Sequence, residues 1–377
     1  MRTIGHPMRL FVTFLTFAYG PALAADPVGD TSARAAALVT DLGLMESPAP
    51  VRNDPRWRKP ERIVVRADFP GAVASLQPFA PGVELVAARN EAEAAAAMTG
   101  AQAMIGFCNS DIIQAGDALH WVQLFSAGSE NCVTIPAVGA RRLLVTNMQR
   151  ISSPPIAEHV MAMLLAFTRG LNIHLPAQRT GRWNEDLVPR EQTWELTGRT
   201  LLVVGLGGIG TEVAKRARAL GMRVVATRAS DRPAPGFVDA VARPEDLRKL
   251  TADADVIVNA APLTPRTTGL FNAQFFAAMK PTAYFINVGR GRSVVTADLV
   301  KALNDKRLAG AGLDVIDPEP LPADHPLWQM PNVIITPHVA ANSDKVFGRV
   351  LLLAQENLRR YVAGEKMLSV VDPARGY

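Results

Sequence analysis

Cysteine is nearly absent: the 377-residue chain has two, Cys108 and Cys132. Two cysteines exclude a disulfide framework, and the lack of HExxH and CxxC spacings leaves no metal site to propose. The two could pair in an oxidising compartment, but a buried thiol is the expected state of each. An excess of one charge is also missing. Forty basic against 35 acidic residues give a net +5. The bases are scattered rather than striped, which argues against a nucleic-acid surface. Repeats and low-complexity tracts are absent as well. A hydrophobic fraction of 48% with 20% charged residues fits a globular protein whose length suits two domains, each with its own core.

The N-terminus departs from that background. Arg2 and Arg9 form a basic start without acids, residues 10–20 are apolar, and Ala22-Leu23-Ala24 precedes Ala25-Asp26. This pattern reads as a secretory signal over residues 1–24. The apolar run is shorter than the ~20 residues a membrane span needs, so no stable membrane insertion is expected once the signal is removed. Without it, 38 bases face 35 acids. An exported or periplasmic protein is expected, with the cytoplasm as the alternative.

Residues 32–45 have helical composition, and Pro48, Pro50, Pro55 and Pro60 mark an extended linker. Strands are expected at 62–65, 84–86, 103–107 and 121–125, with helices at 91–98 and 111–115 between them. That is a small α/β domain with a parallel sheet. Residues 156–171 form a nearly uniformly apolar helix, expected to be buried and to serve in a subunit interface. Glu158 near its start suits the helix dipole. Further strands are expected at 256–260, 284–288, 309–315 and 333–336, with helices at 273–279, 297–303 and 354–362.

Residues 201–228 read LLVVGLGGIGTEVAKRARALGMRVVATR: strand, glycine turn, helix, strand. In that context Gly205, Gly207, Gly208, Ile209 and Gly210 mark a dinucleotide site, because the turn lets a pyrophosphate approach backbone N–H groups at a helix N-terminus. A carboxylate about 20 residues on would bind the ribose 2′-hydroxyl of NAD. Here Arg228 stands 18 residues after Gly210, with Ser230 and Arg232 close behind. A guanidinium binds a 2′-phosphate, so NADP is expected ahead of NAD, although NAD stays possible.

In open α/β sheets ligands bind beyond the carboxyl ends of the strands. Those ends offer Arg290 between Gly289 and Gly291, then Asp314 and Glu319, and last His338 after Thr336-Pro337. An arginine anchors a substrate carboxylate and polarises a ketone. An imidazole gives a proton to the ketone oxygen as hydride reaches carbon. A carboxylate beside it fixes the tautomer and raises its pKa. The other histidines, His6, His120, His159, His174 and His325, lack such a placement.

The segments 198–210 (GRTLLVVGLGGIG), 287–291 (NVGRG), 312–320 (GLDVIDPEP) and 332–338 (NVIITPH) resemble the D-isomer-specific 2-hydroxyacid dehydrogenase family. Ala157-Glu158-His159 and Pro262-Leu263-Thr264-Pro265 match further signatures. The similarity is dense over 156–341 and looser over the first 150 residues. It implies a two-domain α/β protein, usually a homodimer, with its cofactor in the cleft between the domains. One domain is a Rossmann-type doubly wound parallel sheet and the other a smaller flavodoxin-like α/β substrate domain. The expected boundaries are 25–148 for the substrate domain, completed by 340–377, and 149–339 for the dinucleotide-binding domain.

By the same matching, Arg290 binds substrate, Glu319 orients the base and His338 is the acid/base. Asp314 holds the nicotinamide carboxamide. Ala261, Pro262 and Thr267 line the adenosine and phosphate side, and Val288 and Gly289 lie against the nicotinamide ribose. Ala127 and Gly128 form the substrate-carboxylate loop, and Cys108 faces the substrate. Arg228 resembles the NADP-preferring glyoxylate and hydroxypyruvate reductases. The expected reaction is hydride transfer between NADP(H) and a small 2-keto or D-2-hydroxy acid. Alternatives on the same fold are a formate- or phosphite-type dehydrogenase and a nucleotide-sensing protein of co-repressor type. The signal-like start is atypical for a family that works mostly in the cytosol, where soluble NADP is found.

Overall fold

The computed structural model describes residues 29–372, so the expected signal segment lies outside the described residues. Five strands form the first sheet: β1 (Arg62–Arg66), β2 (Glu84–Ala88), β3 (Ala103–Ile105), β4 (Trp121–Gln123) and β5 (Leu144–Thr146). Their order is β2-β1-β3-β4-β5, and every pairing is parallel. That is the flavodoxin-like order. Seven strands form the second sheet: β6 (Thr200–Val204), β7 (Arg223–Thr227), β8 (Ala240–Ala242), β9 (Val256–Asn259), β10 (Tyr284–Asn287), β11 (Gly310–Leu313) and β12 (Val333–Ile335). Their order, β12-β11-β10-β9-β6-β7-β8, is again all parallel. It reverses direction between β6 and β9, as in a doubly wound dinucleotide-binding sheet.

Both sheets are buried on both faces, which explains why their strands are continuous apolar runs. Side chains alternate across the pleat. In β1, Ile63 and Val65 enter one core and Val64 the opposite one. In β6, Leu202 and Val204 face one cluster while Leu201 and Val203 face the other. Each such residue contributes roughly 1.5–3 kcal/mol through burial.

Several boundaries differ from expectation. The strand expected at 103–107 ends at Ile105, because Gly106 turns with φ 106°. The long helix spans Ser153–Thr168 and stops where Gly170 takes φ 66°; a second helix, Leu171–Arg179, follows. The burial of Ser153–Thr168 is intrachain, against the helix Gly208–Ala219. Glu158 pairs with Arg216 of that helix at 3.0 Å. Leu165 on the helix Ser153–Thr168 is nevertheless 37% exposed, and more exposed apolar side chains follow it, Leu175 at 55% and Trp183 at 92%. The closing helix begins earlier than expected, at Val346, and runs to Ala363. With the helix Gly29–Leu42 it packs on the first sheet, sharing the core of Ile63, Trp121 and Tyr361. The sequence reading placed no strand at β5 or β8.

Candidate active site

The Gly-rich turn follows β6 at the point where the strand order reverses. Gly205 has φ 96°, and a Cβ there would lie 2.7 Å from the Cα of Ala261, the second residue beyond β9. At Gly207, where the helix Gly208–Ala219 begins, a Cβ would meet nothing within 4 Å. The turn is therefore close-packed toward the protein and open over the helix N-terminus, which fits a dinucleotide pyrophosphate. Ile209 and Gly210 lie in the first turn of that helix, and Gly210 is buried. Ala261 is buried, and Thr267 Oγ1 donates to Pro262 O at 2.7 Å, closing the neighbouring turn. Asn259 Nδ2 donates to Asn287 Oδ1 at 2.8 Å, tying β9 to β10 beneath Val288 and Gly289.

Arg228 follows β7. Its Nε donates to Ser230 O at 3.2 Å, and Nη2 donates to the carbonyls of Arg232 and Pro233. Burial, and then the charges of Arg232 and Arg243, hold its pKa below the usual arginine value. Asp231, the acid between Arg228 and Arg232, pairs with Arg243. The sequence reading did not assign Arg243 to this cluster, because it arrives from beyond β8.

On the substrate side, His338 has φ 56°, a left-handed conformation a non-glycine residue keeps only when its surroundings enforce it. Here Asp314 enforces it. His338 N donates to Asp314 O at 2.9 Å, and Asp314 Oδ1 accepts from Val339 N at 2.9 Å and Thr336 Oγ1 at 2.7 Å. Asp314, expected at the nicotinamide carboxamide, is thus 4% exposed and also fixes the turn that presents the imidazole. His159 belongs to this chain of contacts, with Nε2 2.9 Å from Thr336 Oγ1. Its position 177 residues away hid it from sequence reasoning.

His338 Nδ1 is 3.0 Å from Glu319 Oε2, and Glu319 Oε1 accepts from Ile316 N at 2.9 Å. Burial alone would raise the Glu319 pKa; the bonds from His338 and Ile316 outweigh it and hold the carboxyl below its ordinary value. The Glu319 hydrogen bond outweighs burial at His338 and raises the imidazole pKa. Arg290 lies near enough for its charge to act on both groups. Its guanidinium also crosses to the first lobe, where Nε donates to Glu130 Oε1 at 2.7 Å. Gly128 is beside it: a Cβ there would collide with Arg290 Nη2. Ala127 O accepts from Asn147 Nδ2 at 2.6 Å, bracing the same loop. The structure thus brings Arg290, Glu319, His338 and the 127–128 loop to one cleft.

Cys108 requires a correction. The sequence reading expects two buried thiols, with Cys108 facing the substrate; the structure instead bonds Cys108 to Cys132. The loop after β3 and the short helix Glu130–Val133 bring their Cα atoms to 5.5 Å, within bridging distance. Among the described residues no group of three or more His, Cys, Asp or Glu side chains could hold a metal ion.

Residues 161–340 match the D-isomer specific 2-hydroxyacid dehydrogenase, NAD binding domain. The human glyoxylate reductase/hydroxypyruvate reductase is 35% identical over 259 residues, which cover 68% of this chain and 77% of that one. A D-isomer specific 2-hydroxyacid dehydrogenase from Xanthobacter autotrophicus Py2, solved with NADPH and MES, superimposes with TM-score 0.73 at 29% identity, covering 85% of this chain and all of that one. The NADPH-dependent glyoxylate/hydroxypyruvate reductase of Sinorhizobium meliloti, solved with NADP and sulfate, gives TM-score 0.73 at 26% identity over 84% of this chain and all of that one. With two parallel sheets, a dinucleotide turn and the cleft between them, this chain belongs to the D-isomer-specific 2-hydroxyacid dehydrogenases, enzymes that work with a nicotinamide cofactor.

Proposed function

We propose that the enzyme uses NADPH to reduce a small 2-keto acid, of glyoxylate or hydroxypyruvate size, to the D-hydroxy acid. The carrying observation is the 3.0 Å contact of Glu319 with His338 within electrostatic reach of Arg290. A reduced nicotinamide, when bound, supplies the hydride. Arg290 anchors the substrate carboxylate and polarises the ketone. His338, with Nδ1 committed to Glu319, presents Nε2 and gives its proton to the ketone oxygen; in the oxidative direction it takes the proton back. The likeness to the human glyoxylate reductase/hydroxypyruvate reductase and to the Sinorhizobium meliloti glyoxylate/hydroxypyruvate reductase supports this substrate class.

The cluster of Arg228, Arg232 and Arg243 around a single paired acid supports NADP, because it leaves positive charge for a 2′-phosphate. With purified protein lacking residues 1–24, glyoxylate or hydroxypyruvate should be reduced faster with NADPH than with NADH. Arg228→Asp should swing that preference on the order of 100-fold toward NADH, the loss of one charge-assisted phosphate contact plus an added repulsion. Turnover of formate or phosphite alone, or NADPH binding without turnover of any keto acid, overturns the reading. Equal use of both cofactors overturns the assignment of Arg228.

Export and a homodimer complete the proposal. The Cys108–Cys132 bridge supports an oxidising compartment, and the exposed Leu175 and Trp183 support a subunit contact. Intact mass of protein from the native host should place the mature N-terminus at Ala25, and light scattering should return twice the chain mass. An unprocessed N-terminus or a monomer removes the corresponding element.

A further inference from the structure

Two nitrogens of the Arg290 guanidinium are already bound. Nε donates to Glu130 Oε1 at 2.7 Å, and Nη1 donates to Gly289 O at 2.9 Å. The remaining nitrogen, Nη2, faces Gly128, whose Cβ position it overlaps and from which Glu130 Oε2 is 2.9 Å away. Glu130 reaches across from the other lobe, 160 residues from Arg290 in sequence. It is the first residue of the short helix Glu130–Val133. Cys132 lies in the same helix and is bonded to Cys108, in the loop that follows β3. One turn of chain therefore carries both the carboxylate that grips Arg290 and a covalent tether to the neighbouring strand.

We propose that Glu130 is a positioning residue for the substrate-binding arginine. It holds the guanidinium by Nε so that Nη2 is aimed at the 127–128 loop, and the Cys108–Cys132 bridge anchors the turn from which it does so. An arginine stem samples many rotamers, whereas a planar fork fixed at two nitrogens has its third committed in direction. Glu130 takes Nε and the Gly289 carbonyl takes Nη1, which leaves Nη2 for a substrate carboxylate. Glu130 has no contact with reacting atoms in this scheme and acts only through Arg290. The inference rests on the proposed role of Arg290 as the carboxylate anchor.

The test compares wild-type protein, Glu130→Ala and Glu130→Gln, each with its bridge intact, using glyoxylate and NADPH. Glu130→Ala should raise the KM for glyoxylate about 10-fold or more and leave the NADPH Kd, read by nucleotide fluorescence, within about twofold. Glu130→Gln keeps an oxygen acceptor for Nε and should recover most of that loss. Tris(2-carboxyethyl)phosphine supplies two electrons to break the S–S bond, and one water molecule supplies the two protons of the thiols and the oxygen of the phosphine oxide that leaves. The reduced wild type should then show a glyoxylate KM raised about threefold, whereas Glu130→Ala should not respond further to reduction. An active wild type whose KM is unmoved by Glu130→Ala overturns the positioning role alone. If Glu130→Ala melts well below the wild type, the Gln variant decides: a KM as poor as that of the Ala variant also overturns the role. Equal reductant effects in the wild type and Glu130→Ala overturn the anchoring by the bridge. A wild type inert toward every 2-keto acid overturns the functional reading itself and this inference with it.

Discussion

Replacing His338 with Ala lowers kcat for keto-acid reduction by about 10²–10⁴-fold, the usual cost of losing a placed proton donor, while NADPH affinity stays nearly unchanged. The turn should survive the change. Asp314 holds its backbone through His338 N, Val339 N and Ala340 N, none of which depends on the imidazole. A kcat within threefold of the wild type would remove His338 from the chemistry. The partner residue gives a second readout. Since the Glu319 bond raises the His338 pKa, the donor stays protonated above the ordinary histidine value, and reduction declines only as pH rises through the raised one. In Glu319→Gln that decline should set in at lower pH; an identical pH–rate profile would break the partnership. The same pair affects stability with both signs. The imidazole's share is full below its unfolded pKa and lost as pH rises through the raised value. The carboxylate's share is present above its unfolded pKa and lost as pH falls through the depressed one.

Gly291→Ala should be the most damaging conservative change in the cleft. A Cβ at Gly291 would overlap the carbonyl of Ile316 and lie 2.8 Å from Asp317 N. Both obstacles are main chain and cannot rotate away. Ile316 N is in turn held by Glu319 Oε1, so separating the two backbones moves Arg290 and Glu319 apart at once. Overpacking of this kind costs about 1–3 kcal/mol and occasionally more, which in a protein of this size corresponds to a melting temperature lower by roughly 1–4 °C. Keto-acid reduction should drop with it. A thermal melt and turnover both matching the wild type would show that the two loops yield freely.

The legible parts of this molecule were those carried by short-range pattern. Ten of the twelve strands followed from apolar runs punctuated by turns, β5 and β8 being the exceptions. Gly205–Gly210 announced its turn because strand, glycines and helix are consecutive. Arg290, Glu319 and His338 stood out because each follows a strand of one parallel sheet, whose carboxyl ends share an edge. What stayed hidden depends on contacts between distant segments. Glu130 gives no local sign that it will meet Arg290, and His159 none that it will meet Thr336. His120, left without a role by sequence, is buried between Tyr361 OH at 3.1 Å and Asp54 at 3.3 Å, far from any motif. The disulfide was missed for the same reason: with two cysteines 24 residues apart, only the fold says that β3 and the loop after β4 end side by side. Arg228 was legible as a cation, but not as a member of a three-arginine group completed from beyond β8.

The chain passes between its two lobes twice, first after β5 and again before the helix Val346–Ala363. These passages are adjacent: Arg349 in that helix donates to Ile151 O at 3.4 Å. Two parallel tethers forbid a free swivel and leave rocking about the line through them as the soft motion. The substrate loop is fastened to the first passage itself, Met148 N donating to Ser126 O at 3.0 Å and Asn147 Nδ2 to Ala127 O at 2.6 Å. Shortening or stiffening either passage would therefore be felt at the cleft mouth without touching one side chain in it.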